Sequence, residues 1–289
     1  MQVLVMQEHE IIPVKFADGA GSSISLFRSR QEDALVVLVI FPAMGVKGSY
    51  YKNAAQHFAA HHLHVVTIDH RGHGTSSVKP SRTSNFGYRD QVEVEYPLIL
   101  EQVKLLFPNC KLVIMGHSLG GQMGSMFISR YQHLADGIIL NASCSPYYKG
   151  WGVGAGFGLW LFARFIRMVT ALLGYYPGNR IGFGGREAAG IMRDWCYTVA
   201  TGKFAAHGSG FNYETAMHLS AKPVLGITYE GDTSAPPEAL NFLLNKFKAS
   251  KVQFSHILPQ ANEKKFNHYS WAKKPSICDG VINEWLKML

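Results

Sequence analysis

Cysteine is scarce and poorly spaced for a cross-linked scaffold: Cys110, Cys144, Cys196 and Cys278 stand far apart, with no C-x-x-C pair. This excludes a disulfide-dense domain or a zinc ribbon and predicts reduced, mostly buried thiols. No run of five or more basic residues occurs despite a net charge of +8, so the positive charge reads as a diffuse surface and no nucleic-acid partner is expected. Internal repeats of about 20 to 50 residues are missing as well, which sets aside a solenoid or propeller. The opening "MQVLVMQEHE" has too short an apolar run, and acidic residues where a signal peptide needs a basic start. The expectation is a cytoplasmic protein.

What the chain does have is apolar residues, 47% of its 289 positions, enough for one large buried core. Apolar, β-rich runs recur at "EIIPVKFA", "SISLFR", "ALVVLVIF", "LHVVTID", "KLVIM", "DGIIL", "PVLGITY" and "VQFSHIL", with helical patterns between most of them. The first strands follow each other closely and the later ones alternate with helices, which predicts an α/β fold with a mostly parallel central sheet flanked by helices. In such a sheet, ligands bind beyond the carboxyl ends of the strands. The alternation breaks between Pro146 and Ala221, so the chain divides into a core over 1–145 and 222–289 and an inserted helical cap over 146–221. Within residues 146–185 there are four basic residues, Lys149, Arg164, Arg167 and Arg180, no acidic ones, ten aromatics and ten glycines.

The segment "KLVIMGHSLGG" places Ser118 where a buried strand meets a helix. Gly116 and Gly120 complete G-x-S-x-G, in which glycines permit a turn sharp enough to expose the serine oxygen. At a helix N-terminus, backbone N–H groups and the helix dipole favour the negative charge that attack on a carbonyl creates. Such a nucleophile needs a base, an acid to orient it, and oxyanion donors. Asp232, in "GDTSAP" just past a strand, is the best acid. Glu230 is the alternative, assigned instead to the strand itself, and Asp232 could simply form an Asx turn. His268 follows the last strand and is the best base, whereas His117 lies within the elbow and reads as packing or orientation. The Leu119 N–H is one expected donor, and the loop in "VVLVIFPAMGVKG" the source of another.

These segments together, "FPAMGV", "DHRGHGTS", "GHSLGG", "GDTSAP" and "NHYSW", resemble an alpha/beta-hydrolase-fold serine hydrolase of the monoacylglycerol-lipase-like and serine-aminopeptidase-like branch. The order Ser118, Asp232, His268 is that of the family. The resemblance implies that Met44 supplies the second oxyanion N–H. Here the His-Gly pair common in that loop is absent, and Asn267 stands where glycine often precedes the histidine. It also implies cleavage of a small-molecule carboxylic ester without a cofactor. A thioesterase, a peptidase, carbon–carbon cleavage, acyl transfer or a silent ligand-binding protein would use the same frame. "DHRGHGTS" is expected to be structural.

In the cap, "GLWLFARFIRMVTALL" reads as a helix, with Arg164 and Arg167 on one face and apolar residues over most of the rest. Only thirteen uncharged residues, Gly150 through Phe162, precede Ala163 and Arg164, so a membrane span is not expected, although the cap could touch a membrane surface weakly. Trp160 and Phe165 are the predicted substrate-binding residues. His57 and His61 are one helical turn apart, but Phe58 stands where H-E-x-x-H requires glutamate, and no metal is expected.

Overall fold

The computed structural model describes residues 9–31, 34–261 and 263–289; the opening segment over 1–8 discussed above lies outside them. The strands are β1 (Glu10–Lys15), β2 (Gly21–Phe27), β3 (Val36–Phe41), β4 (His64–Thr67), β5 (Lys111–His117), β6 (Gly137–Asn141), β7 (Tyr175–Pro177), β8 (Arg186–Ala188), β9 (Val224–Tyr229) and β10 (Val252–Ile257). The helices are α1 (Lys52–Ala60), α2 (Tyr96–Leu106), α3 (Leu119–Arg130), α4 (Val153–Leu173), α5 (Gly178–Ile181), α6 (Ala189–Thr201), α7 (Tyr213–Leu219), α8 (Pro237–Leu244), α9 (Ser270–Lys273) and α10 (Asp279–Leu286).

Eight strands form one sheet in the order β1-β2-β4-β3-β5-β6-β9-β10. β1 pairs antiparallel with β2, and β2 with β4; every other pairing is parallel. The chemistry of each strand matches its place. β3, β5, β6 and β9 are almost wholly buried and read as continuous Val, Ile and Leu, as strands covered on both faces must. β1 has one paired side only, and it carries Pro13, whose missing N–H an edge position tolerates. The sheet closes on its helices so tightly that a Cβ on Gly137 would meet the Trp285 ring of α10 at 2.7 Å.

Between β6 and β9 the chain leaves the sheet to build α4, the β7–β8 hairpin, α5, α6 and α7. α4 packs along α6, where the Cys196 thiol donates to the Ala163 carbonyl at 3.4 Å, while Gly156 closes on the Tyr148 carbonyl; Gly156, Ala163, Ile166 and Thr170 are its buried residues. α7 instead packs on α3 of the core, and its Tyr213 hydroxyl donates at 2.7 Å to Glu93, in the segment before α2, which also accepts from Arg130 of α3 at 2.8 Å. At 21 residues, with a mean hydropathy of 1.5 over its most apolar stretch, α4 is long and apolar enough to cross a bilayer. That differs from the sequence expectation. Phe165, Ile166, Met168 and Val169 extend the apolar pattern past Arg164, and only 22% of the stretch is buried by the rest of the chain.

Candidate active site

The junction of β5 and α3 is drawn together by backbone contact that side chains would prevent. A Cβ on Gly116 would lie 2.3 Å from the Gly121 Cα, and one on Gly120 would lie 2.2 Å from the Phe41 carbonyl oxygen. Between them Ser118 takes φ 53 and ψ −118, a left-handed conformation that a non-glycine residue holds only when its surroundings enforce it. Ser143, just past β6, donates its hydroxyl to the Ser118 carbonyl at 2.7 Å.

Asp232 follows β9 at the same edge of the sheet, after Gly231 at φ 97, where a Cβ would press on the Phe266 carbonyl at 2.7 Å. One carboxylate oxygen accepts the Ser234 N–H at 2.8 Å, and the other lies 2.8 Å from His268 Nδ1. With an aspartate there, Nδ1 carries the proton and Nε2 keeps its lone pair. Glu230 is the first residue past β9 rather than part of it, and its carboxylate turns outward to Lys265 at 2.6 Å and His256 at 3.4 Å. The Lys265 ammonium holds the Glu230 carboxyl below its usual range.

His117 joins this half of the site to the other. It is fully buried, with Nε2 3.0 Å from the His268 backbone carbonyl and Nδ1 2.7 Å from the Tyr51 hydroxyl. A carbonyl only accepts, so Nε2–H donates and Nδ1 accepts the hydrogen bond of the Tyr51 hydroxyl; Tyr51 in turn accepts the Ala43 N–H at 2.9 Å. Burial, with His268 beside it, holds His117 well below the ordinary histidine range and therefore neutral. One directional chain of hydrogen bonds thus runs from the loop after β3 to the backbone of His268.

The loop after β3 is also held by "DHRGHGTS". His70 donates Nε2–H to the Pro42 carbonyl at 2.7 Å, and Asp69 accepts the Gly48 N–H at 2.7 Å, so both ends of the 42–48 segment are fixed. Burial lowers His70 to about 4, which keeps it neutral. His73 reaches the other way, to Glu187 of the β7–β8 hairpin at 2.9 Å. The hairpin's tip lies against the loop: a Cβ on Gly45 would be 2.1 Å from the Gly185 nitrogen.

Ser118, Leu119, Met44 and His268 all line one cavity of about 410 Å³ beneath the cap. The cap contributes Trp151, Leu159, Phe162, Phe183 and Trp195. Cys144 lines it too, but burial pushes its thiol far up, so it stays protonated and a poor nucleophile. Trp160 and Phe165 do not line the cavity, which corrects the prediction made for them. Trp160 lies under the Arg164 guanidinium, 4.6 Å from its ring centre, and Phe165 is 40% exposed. Helix phase is the reason: the buried stripe of α4 runs through Gly156, Ala163 and Ile166, which turns Leu159 and Phe162 inward and Phe165 away. The small residues Gly156 and Ala163, seven apart, are the signal that could have set that phase.

Residues 36–182 match the alpha/beta hydrolase fold family. Among solved structures, a soluble variant of monoglyceride lipase from Saccharomyces cerevisiae superposes with a TM-score of 0.68 at 12% identity, covering 99% of this chain and 98% of that one. The Pyrococcus furiosus esterase Pf2001 gives 0.59 at 12% identity over 97% and 92%. A thioesterase domain from the curacin biosynthetic pathway gives 0.57 at 16% identity over 97% and 99%. With its sheet order, its strand–serine–helix turn and this match over half its length, the chain belongs to the alpha/beta hydrolase fold family.

Proposed function

We propose that the protein is a serine hydrolase that cleaves a carboxylic ester with an apolar acyl or aryl group through an acyl-enzyme. One observation carries the reading: a strained Ser118 shares an apolar cavity with His268, whose Nδ1 is held 2.8 Å from a buried Asp232. As Ser118 Oγ attacks the carbonyl carbon, His268 Nε2 takes its proton, and the Leu119 and Met44 N–H groups receive the oxyanion. The imidazolium gives that proton to the departing alcohol. The same nitrogen then deprotonates the water that breaks the acyl ester and frees Ser118. The aromatic walls at Trp151, Phe162 and Trp195 favour an apolar group on the acyl side.

A membrane surface containing anionic lipid is the proposed partner of the cap. Val153, Phe157, Leu161, Phe165, Met168 and Leu172 form an exposed apolar stripe along α4, with Arg164 and Arg167 beside it and no acidic residue over 146–185. The four thiols are free, which fits the reducing cytoplasm proposed for the protein.

A fluorophosphonate probe tests the central claim. It should add its mass to the peptide that carries Ser118, and Ser118→Ala should lose both the label and ester hydrolysis by several thousand-fold or about that. Labelling at another residue, or turnover that survives the substitution in pure protein, would reject Ser118 as the nucleophile.

A further inference from the structure

We propose that His57, His61 and Asp279 form a binding site for a divalent transition-metal ion, best suited to zinc, that fastens α1 to α10. The site lies outside the candidate active site and does not depend on the role of Ser118. His57 lies in the last turn of α1 and His61 is the residue that caps its end, four positions on, with ring centres 4.5 Å from each other. Asp279 opens α10 and brings a carboxylate oxygen to 2.6 Å from His57 Nε2. One donor atom from each of the three residues lies within 4.8 Å of the other two.

A tetrahedral zinc ion with bonds of about 2.0–2.2 Å spaces its donor atoms by roughly 3.3 Å. The His57–Asp279 pair therefore opens by under about 1 Å, and His61 closes by at most about 1.5 Å, shifts that side-chain rotation supplies. His61 is already prepared. Its Nδ1–H donates to the His57 backbone carbonyl at 2.7 Å, which leaves the lone pair on Nε2. Metal-binding histidines are commonly fixed this way by a hydrogen bond from the second ring nitrogen. A pairing of His57 with Asp279 alone accounts for two of the residues; it does not account for the third donor set beside them.

His57 and Asp279 are each about a quarter exposed at their side chains and His61 is open, so an ion has an entry path and water can fill the fourth position. Two imidazoles and one carboxylate favour zinc, cobalt or nickel over magnesium or calcium, which prefer all-oxygen sites. On binding, His57 Nε2 gives up the proton it shares with Asp279 to solvent, and the nitrogen and the carboxylate both turn to the metal. The fastening has a structural consequence, because α1 already holds the segment after His268, through the Asn53 amide donating to the Lys273 carbonyl at 2.9 Å.

The test is a cobalt(II) titration of the full chain, followed by visible absorption, with competition by zinc. One equivalent should bind, produce visible d–d bands and be displaced by zinc but not by magnesium. Zinc should raise the Tm of the wild type. His61→Gln and Asp279→Asn, confirmed as folded by circular dichroism, should each weaken zinc binding by at least about tenfold and abolish the Tm shift. Absence of binding, or binding kept at full strength in both folded variants, overturns the proposal.

Discussion

His117 is the residue on which the two halves of the candidate site meet, and no local pattern announces it. Its position inside the elbow is plain in the sequence, but its partners are the Tyr51 hydroxyl 66 positions away and the His268 carbonyl 151 positions away. Only folding brings them together, so the sequence supports a packing or orienting reading of His117 without naming its partners. Asp232 and His268 were easier, because each follows a strand of a parallel sheet, and those strand ends share one edge. Met44 is a different case: it rested on resemblance alone, and the structure places it on the cavity wall with Ser118. The acid can be tested directly. Asp232→Asn should lower kcat for a soluble ester by on the order of 10³–10⁴, because the amide favours the wrong tautomer of His268. Glu230→Gln, which loses only the outward pairings with Lys265 and His256, should change kcat by less than about threefold. The opposite ranking in steady-state assays would move the acid to Glu230.

Elements show the same divide between pattern and phase. All eight strands of the main sheet coincide with β-rich runs in the sequence, and the inner strands β3, β5, β6 and β9 are the plainest, since a strand covered on both faces has little choice of residue. α4 is legible as a helix, yet its rotation is not: apolar residues cover most of it, and the narrow face of Arg164 and Arg167 leaves open which apolar flank meets the cavity, although Trp160, one turn before Arg164, shares the charged face. Phe162→Ala should shift the preference among p-nitrophenyl esters toward longer or bulkier acyl groups, while Trp160→Ala should leave the ranking as it is. Equal shifts from both substitutions would contradict the phase of the helix. The cap is also fastened by the His73–Glu187 pair, and there pH enters. Burial by itself opposes charge on both groups, but pairing outweighs it, raising His73 above 6.5 and lowering Glu187 below 4.5. The contribution of His73 is full below 6.5 and fades as the pH rises through its raised value; that of Glu187 is full above 4.5 and fades as the pH falls through its lowered value. The Tm difference between wild type and Glu187→Gln should therefore be largest between 4.5 and 6.5 and shrink toward alkaline pH. A difference that stays flat up to pH 9 would show that the pair is not charged.

At the scale of the whole molecule, the sheet, the 42–48 loop and the β7–β8 hairpin form one braced body. Arg186 donates to the Pro80 carbonyl at 2.7 Å, Gly190 N–H to Asn85 at 2.7 Å, and Tyr88 N–H to Asp194 at 3.0 Å, so the second half of the cap is tied to the core. The first half is less so, because Gly152, Gly154 and Gly158 have open space around them. α4 thus has protein on one side and an apolar flank on the other. If that flank rests on lipid, the protein works in two dimensions: what governs its rate is how crowded the substrate is within the surface, not how much of it the solution holds. Dispersing a long-chain ester in vesicles with anionic lipid and then adding more inert lipid, at constant total ester, should slow hydrolysis in proportion to the fall in mole fraction. Phe157→Glu with Met168→Glu should remove that dilution effect without altering turnover of a short soluble ester. A rate indifferent to added lipid in the wild type would mean that the outer flank of α4 meets only water.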